Sequence, residues 1–288
     1  MKASLFFLLY FISAALLAAF IAIPLYQTLH TGSFEFESWV TRSALLLLVV
    51  GIFPTMKWFQ LSNHLIGHNL PIKTFLLKSS KAFLVGLIIL GVVIFLLVIL
   101  DLRLISINEP IGIKLLLKAL IAGLVVALIE ETLFRGLFFS LSKKWHGVIT
   151  AVIISSFFYA LLHFIKPIDH IDSTSIQWFS GLSVILNAFT AVLSLDITDF
   201  LALFSVGVLL AIVRQQTNTL AYCIGLHASW VFLIKISKEL SSNNSNADWG
   251  FLTGKYDGVI GLLSFGWISI VILIYVIYII KSRHSAVH

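Results

Sequence analysis

Apolar positions along this chain come in unbroken runs separated by short polar breaks, with no two-residue alternation of the kind a half-buried strand would show. The runs fall at about 4–26, 39–56, 82–100, 115–139, 147–165, 199–216, 219–237 and 258–280. Each approaches the roughly 20 residues that a helix needs to cross a bilayer. The pattern predicts an all-α fold, a polytopic transmembrane helical bundle of about eight spans. The first run follows Lys2, has Pro24 near its end and is longer than a signal-peptide core, so it reads as an uncleaved first helix. A ninth segment, 174–196, is richer in Ser, Thr, Gln and Asn and is bracketed by Asp169, Asp172, Asp196 and Asp199; it reads as interfacial or re-entrant on one membrane face.

Composition removes the soluble alternatives. Of 288 residues, 59% are hydrophobic and 11% charged, and the mean hydropathy is +1.05. A soluble domain carries roughly 25% charged residues, so a soluble enzyme is excluded. The net charge of +6 is scattered between the apolar runs, which suits lipid headgroups and not nucleic acid. With eight spans, one face collects Lys2, Lys57, Lys73, Lys78, Lys81, Lys143, Lys144, Arg214, Lys281 and Arg283. That bias predicts a multi-pass protein of the lipid bilayer with both termini cytoplasmic. The lone Cys223 excludes an intramolecular disulfide and a cysteine metal cluster, and it reads as packing. No repeat or appended soluble domain interrupts the chain, so residues 1–288 read as one membrane domain.

The chemistry concentrates in Leu128-Ile-Glu-Glu-Thr-Leu-Phe-Arg-Gly136, which puts Glu130, Glu131 and Arg135 inside an apolar helix. Each charge at the centre of a bilayer costs about 2.5 to 3.5 kcal/mol, so something in the fold must compensate. Glu131 and Arg135 are four residues apart on one helix face and can pair, whereas Glu130 points about 100° away and is left for other work. Two histidines sit in similarly apolar surroundings, His163 after Tyr159-Ala-Leu-Leu and His227 within Gly225-Leu-His-Ala-Ser-Trp230. A carboxylate and two imidazoles from three helices could polarise a water toward a carbonyl, or hold a metal such as zinc through Glu130, His163 and His227. Measured from a turn at Lys143, straight helices would leave Glu130 and His163 about 10 Å apart along the membrane normal.

These residues resemble the motifs of the CAAX prenyl protease and bacteriocin-processing (CPBP, or Abi) family of intramembrane endopeptidases. Its first motif, two glutamates then three residues and arginine, is matched by Glu130, Glu131 and Arg135. Its second, Phe-x-x-x-His, is matched at His163 with Tyr159 in place of phenylalanine. Its third, His with Asn or a similar polar residue four positions on, is matched at His227 alone, because Val231 fills the fourth position. The resemblance covers residues 115–235 and implies an in-membrane cavity that cleaves a peptide or protein substrate, lipid-modified or not, at the membrane. It implies Glu130 as the general base, His163 and His227 as the groups that bind the substrate carbonyl and its oxyanion, and Glu131 and Arg135 as structural support. It leaves the choice between zinc and a metal-free glutamate mechanism open. With Asn missing, Trp230, Tyr159 and Ser229 are the candidate oxyanion donors.

Other intramembrane protease signatures are missing: there is no H-E-x-x-H and no Gly-x-Gly-Asp, and Gly181-Leu-Ser183-Val184 lacks the glycine that a rhomboid serine needs after it. His64 and His68 have ligand spacing but read as a solvated interfacial turn. Two other function classes stay open. Val231 favours a non-catalytic membrane scaffold derived from the protease, and buried Glu and His could also serve a proton-coupled transporter. The transporter would call for acids on several helices and paired broken spans, which the sequence lacks.

Overall fold

A computed structural model describes residues 2–29, 32, 34–106, 112–172 and 175–285. Residue 174, the first of the predicted 174–196 segment, lies outside them. In hydrocarbon a backbone must satisfy its own polar groups, so apolar runs of this length become helices. The major helices are α1 (Lys2–Leu29), α2 (Phe36–Trp58), α4 (Ile72–Ile99), α5 (Ile113–Glu131), α7 (Val148–Leu162), α9 (Ile197–Thr217), α10 (Ala221–Leu240) and α11 (Leu262–Ser285). Shorter ones are α3 (Asn63–Ile66), α6 (Phe139–His146) and α8 (Ser180–Thr190). A two-stranded ribbon pairs β1 (Arg103–Ile105) with β2 (Ser241–Asn243), a small exception to the all-α reading.

Each of the eight apolar runs contains a helix, but among the described residues only five helices, α1, α2, α4, α9 and α11, are long and apolar enough by themselves to cross a membrane. They make the chain a multi-pass membrane protein. The remaining three fall short for identifiable reasons. Helix α7 has 15 residues, α5 carries Lys114, Lys118, Glu130 and Glu131, and α10 carries His227, Lys235 and Lys238. Helix α8 has 11 residues and is too short to cross; it packs Val184 and Ile185 against Ala19 and Ile23 of α1.

Contacts at the helix ends sort the bundle into two faces. At one, Phe6 of α1 and Phe59 after α2 close on Trp145 of α6 at 5.8 and 5.2 Å between ring centroids. Lys144 Nζ donates to Phe59 O, and Arg283 near the end of α11 donates to Gln216 near the end of α9. At the other face, the β1–β2 ribbon joins the end of α4 to the end of α10, and Asp199 at the start of α9 binds the loop that leads into α11. The major helices therefore alternate in direction, with the start of α1 and the end of α11 on the first face.

Small residues set the tightest crossing. Helix α10 runs between α4 and α5, and a Cβ on Gly86 of α4 would meet Ser229 Oγ and, at 3.0 Å, Leu226 O. A Cβ on Gly123 of α5 would lie 2.5 Å from Ala228 O on the opposite side of α10. Glycine at both contacts lets three backbones approach closely, the usual basis of helix association in lipid. The α9–α10 turn exposes Asn218 but buries Thr219 and Leu220. Segment 63–70 covers it, with Leu220 N donating to Gly67 O at 3.0 Å and Arg214 Nη2 to Leu65 O at 2.8 Å. His227 lies two turns into α10 and is buried.

Candidate active site

Glu130 and Glu131 end α5, and the chain then winds as a π-helical stretch over Thr132–Phe138 before resuming as α6. Thr132 Oγ1 donates to Leu128 O at 2.6 Å, a side-chain bond that competes with the regular helix ladder. Single π turns inside α-helices recur at functional sites because they re-aim side chains. Here the widened turn carries Arg135 to the buried pair: Arg135 Nη1 donates to Glu131 Oε1 at 3.0 Å, with both side chains 0% exposed. Arg135 also donates to Gly207 O at 3.3 Å, and its guanidinium carbon sits 4.1 Å from the centroid of Tyr159.

The depth mismatch expected between Glu130 and His163 does not arise. Helix α6 continues through Lys143 and Lys144 to His146, and the chain reverses at Gly147, whose φ of +84° favours glycine. Glu130 and His163 are almost equally far from that turn along the chain. His163 Nε2 and His227 Nε2 each stand 3.9 Å from Glu130 Oε2. The structure thus brings together three residues on three helices.

Both imidazoles are oriented by their other nitrogen. His163 Nδ1 donates to Tyr159 O at 2.7 Å, since a carbonyl only accepts, and His227 Nδ1 donates to Glu131 Oε1 at 2.8 Å. Each ring therefore turns Nε2 toward Glu130. Tyr159 wedges between them, its ring 4.6 Å from His163 and 6.0 Å from His227. Glu130 Oε2 itself is buried with no hydrogen-bond partner among the described residues.

Two donor candidates drop out. Trp230 Nε1 donates to Gly86 O at 3.1 Å, and Ser229 Oγ donates to Leu226 O at 2.6 Å on the flank that faces α4. The close α4–α10 approach engages both groups, which leaves Tyr159 of the three. Val231 lines the cavity beside His227. His68 is not a solvated loop histidine: its Nε2 lies 3.0 Å from Thr132 Oγ1, and burial with the nearby Arg214 guanidinium lowers its pKa.

Two cavities meet at the site. One of about 560 Å³ is lined by Glu130, Tyr159, His163, His227 and Val231 and extends past Lys118, Lys235 and Lys238 toward the ribbon face. The other, about 340 Å³, opens between α1, α2 and α8, with Phe11, Leu45, Leu133 and Ile185 in its walls. Glu130, His163 and Tyr256 line both. Tyr256 lies in the loop before α11, beyond the apolar pattern that located the other residues.

Ligands sharing a tetrahedral zinc at about 2.0 to 2.1 Å are separated by about 3.3 Å, whereas these Nε2 and Oε2 atoms are 3.9 Å apart. Among the described residues, no three His, Cys, Asp or Glu side chains are grouped to hold a metal. Glu130, His163 and His227 as arranged do not fit zinc.

Residues 112–233 match the family described as type II CAAX prenyl endopeptidase Rce1-like. The match runs from the start of α5 through most of α10 and includes Glu130, Glu131, Arg135, His163 and His227. No curated protein matches the chain.

Proposed function

We propose that the chain is an intramembrane endopeptidase that hydrolyses a peptide bond with a glutamate-activated water, a reading supported by the match of residues 112–233 to the Rce1-like type II CAAX prenyl endopeptidase family. The observation that carries this reading is Glu130 Oε2, buried, without a hydrogen-bond partner among the described residues and 3.9 Å from two imidazole Nε2 atoms. Glu130 takes a proton from a water whose oxygen attacks the scissile carbonyl carbon. The C–N bond then breaks, and Glu130 returns the proton to the departing amine. His163 and His227, carrying a proton on Nε2, donate to the carbonyl oxygen as it becomes negative. Glu131 behind His227 stabilises the imidazolium and fixes its orientation, and Arg135 holds Glu131 in place.

The substrate is a protein segment at the membrane. The apolar cavity between α1, α2 and α8 has room for a lipid modification beside the cleaved bond. We read α5, α7 and α10 as crossing the bilayer too, for a total of eight spans, since they alternate in direction with the five long helices. Lys2, Lys57, Lys144 and Arg283 gather on the face that holds both termini, and the positive-inside bias makes that face cytoplasmic.

Proteoliposomes holding the parent chain should cleave a farnesylated Cys-aliphatic-aliphatic-X peptide, and Glu130→Gln should lower the rate at least 1,000-fold while insertion and thermal stability stay unchanged. A variant as fast as its parent would remove Glu130 as the base. Val231, which puts an apolar wall where a polar donor is expected, favours the scaffold as the second reading. A parent that cleaves nothing while still inserting and folding would support it.

A further inference from the structure

We propose that Tyr256 is a catalytic residue of this site, its phenolic hydroxyl donating to the substrate carbonyl oxygen and supplying a donor that Val231 does not. The inference rests on the endopeptidase reading above. Loop 253–261 is polar and glycine-rich, yet it is fastened into the bundle at several points. The buried Asp199 carboxylate accepts from Lys255 N at 2.9 Å and from Tyr256 N at 3.0 Å. Asp257 Oδ1 accepts from Val259 N and Ile260 N, and Gly254 N donates to Ile260 O at 2.8 Å. The buried Arg103 guanidinium reaches Gly258 O at 3.3 Å while also binding Asn243 and Ser241. A surface connection between two helices needs no such set of buried charges; a loop that must hold one side chain at a fixed place does.

That side chain is Tyr256. Its ring centroid stands 6.1 Å from His163 and 5.7 Å from Phe164. Together with Glu130 and His163 it lines both cavities, so a chain passing from one to the other crosses its edge. Tyr159 does not have that placement: it borders one cavity, and its face is covered by Arg135. Burial, reinforced by the nearby charges of Asp257 and Glu130, pushes the Tyr256 hydroxyl up to about 12, which keeps it protonated and able to donate at neutral pH. Asp199 is then a positioning residue that acts through the backbone of Tyr256.

The test uses the full chain in proteoliposomes with the farnesylated peptide. Tyr256→Phe keeps the ring and the backbone anchors, so it should fold with an unchanged Tm and KM while kcat falls about 100-fold, the typical loss of one oxyanion donor. The same variant should lose affinity for a peptide aldehyde, which binds as a tetrahedral adduct, and not for the uncleaved peptide bound to Glu130→Gln. Asp199→Ala should lower kcat and add nothing to Tyr256→Phe, and Asp199→Asn, which retains an acceptor oxygen for both amides, should restore it. If the parent cleaves, Glu130→Gln is inactive and Tyr256→Phe keeps kcat within twofold, the Tyr256 proposal is overturned and the endopeptidase reading stands. If the parent cleaves nothing, the endopeptidase reading falls and this proposal falls with it.

Discussion

Glu131 and His227 are 96 residues apart in sequence and 2.8 Å apart in space. The same carboxylate oxygen that accepts from His227 Nδ1 also accepts from Arg135 at 3.0 Å. One fully buried atom therefore sets both the charge balance of the helix and the orientation of an imidazole.

Glu131→Gln and Arg135→Ala should consequently cost both stability and activity. Removing one member strands a buried charge, at about 3 to 5 kcal/mol, and Glu131→Gln also weakens the hold on His227. Thermal unfolding in detergent and turnover on the same preparation check this. A normal Tm in both variants would sink the structural role of the pair.

The α4–α10 crossing offers a remote handle on the site. Gly86→Ala would press a methyl group into Ser229 Oγ and Leu226 O. The added carbon should push α10 and its His227 away from Glu130, with a stability loss of about 1 to 3 kcal/mol typical of overpacking and at least a tenfold fall in turnover. Full activity with an unchanged Tm would mean that the helices part without moving the imidazole.

Zinc should be neither stoichiometric in purified active protein nor required for turnover, since the three side chains stand wider than a shared ion asks. Elemental analysis and an assay after dialysis against a chelator measure both. Activity lost on chelation and restored by zinc would show that the site contracts around a metal.

Val231→Asn should leave the fold intact and raise turnover, because the side chain already faces the cavity one helical turn beyond His227. A gain of about tenfold is expected in the parent, with a larger one in Tyr256→Phe, where the new amide replaces the lost donor. No gain in either background would place the oxyanion away from this wall of α10.

How much of the molecule is legible in its sequence depends on how local each contact is. Eight apolar runs announce the helices, and the spacing of Glu131 and Arg135 announces their pairing, because both features lie within one stretch of chain. The motif order brings Glu130, His163 and His227 forward as a set, while their separation depends on the turn. Lys143 and Lys144 look like the break between helices, yet they are still helical, and the reversal belongs to Gly147 and its positive φ. Trp230 and Ser229 look free to donate because nothing in the sequence of α10 shows what lies against them. Their engagement comes from the α4 crossing, where the carbonyl that binds Trp230 is 144 residues away. Tyr256 escapes the sequence for a different reason: a polar loop carries no periodicity, and the acid that fastens it, Asp199, lies on another helix.

The two cavities that share Glu130, His163 and Tyr256 bear on the fate of the products. Under the proposed endopeptidase reading, a polypeptide threaded through both would be cut at their junction, so the acid-bearing fragment and the amine-bearing fragment would retire into separate chambers. Neither would have to pass the other to escape, and the chamber between α1, α2 and α8 could retain its fragment after the larger one has emptied. Release would then be sequential, resynthesis of the bond would be suppressed because the first fragment is gone, and added fragments should inhibit with different kinetic patterns according to the chamber each occupies.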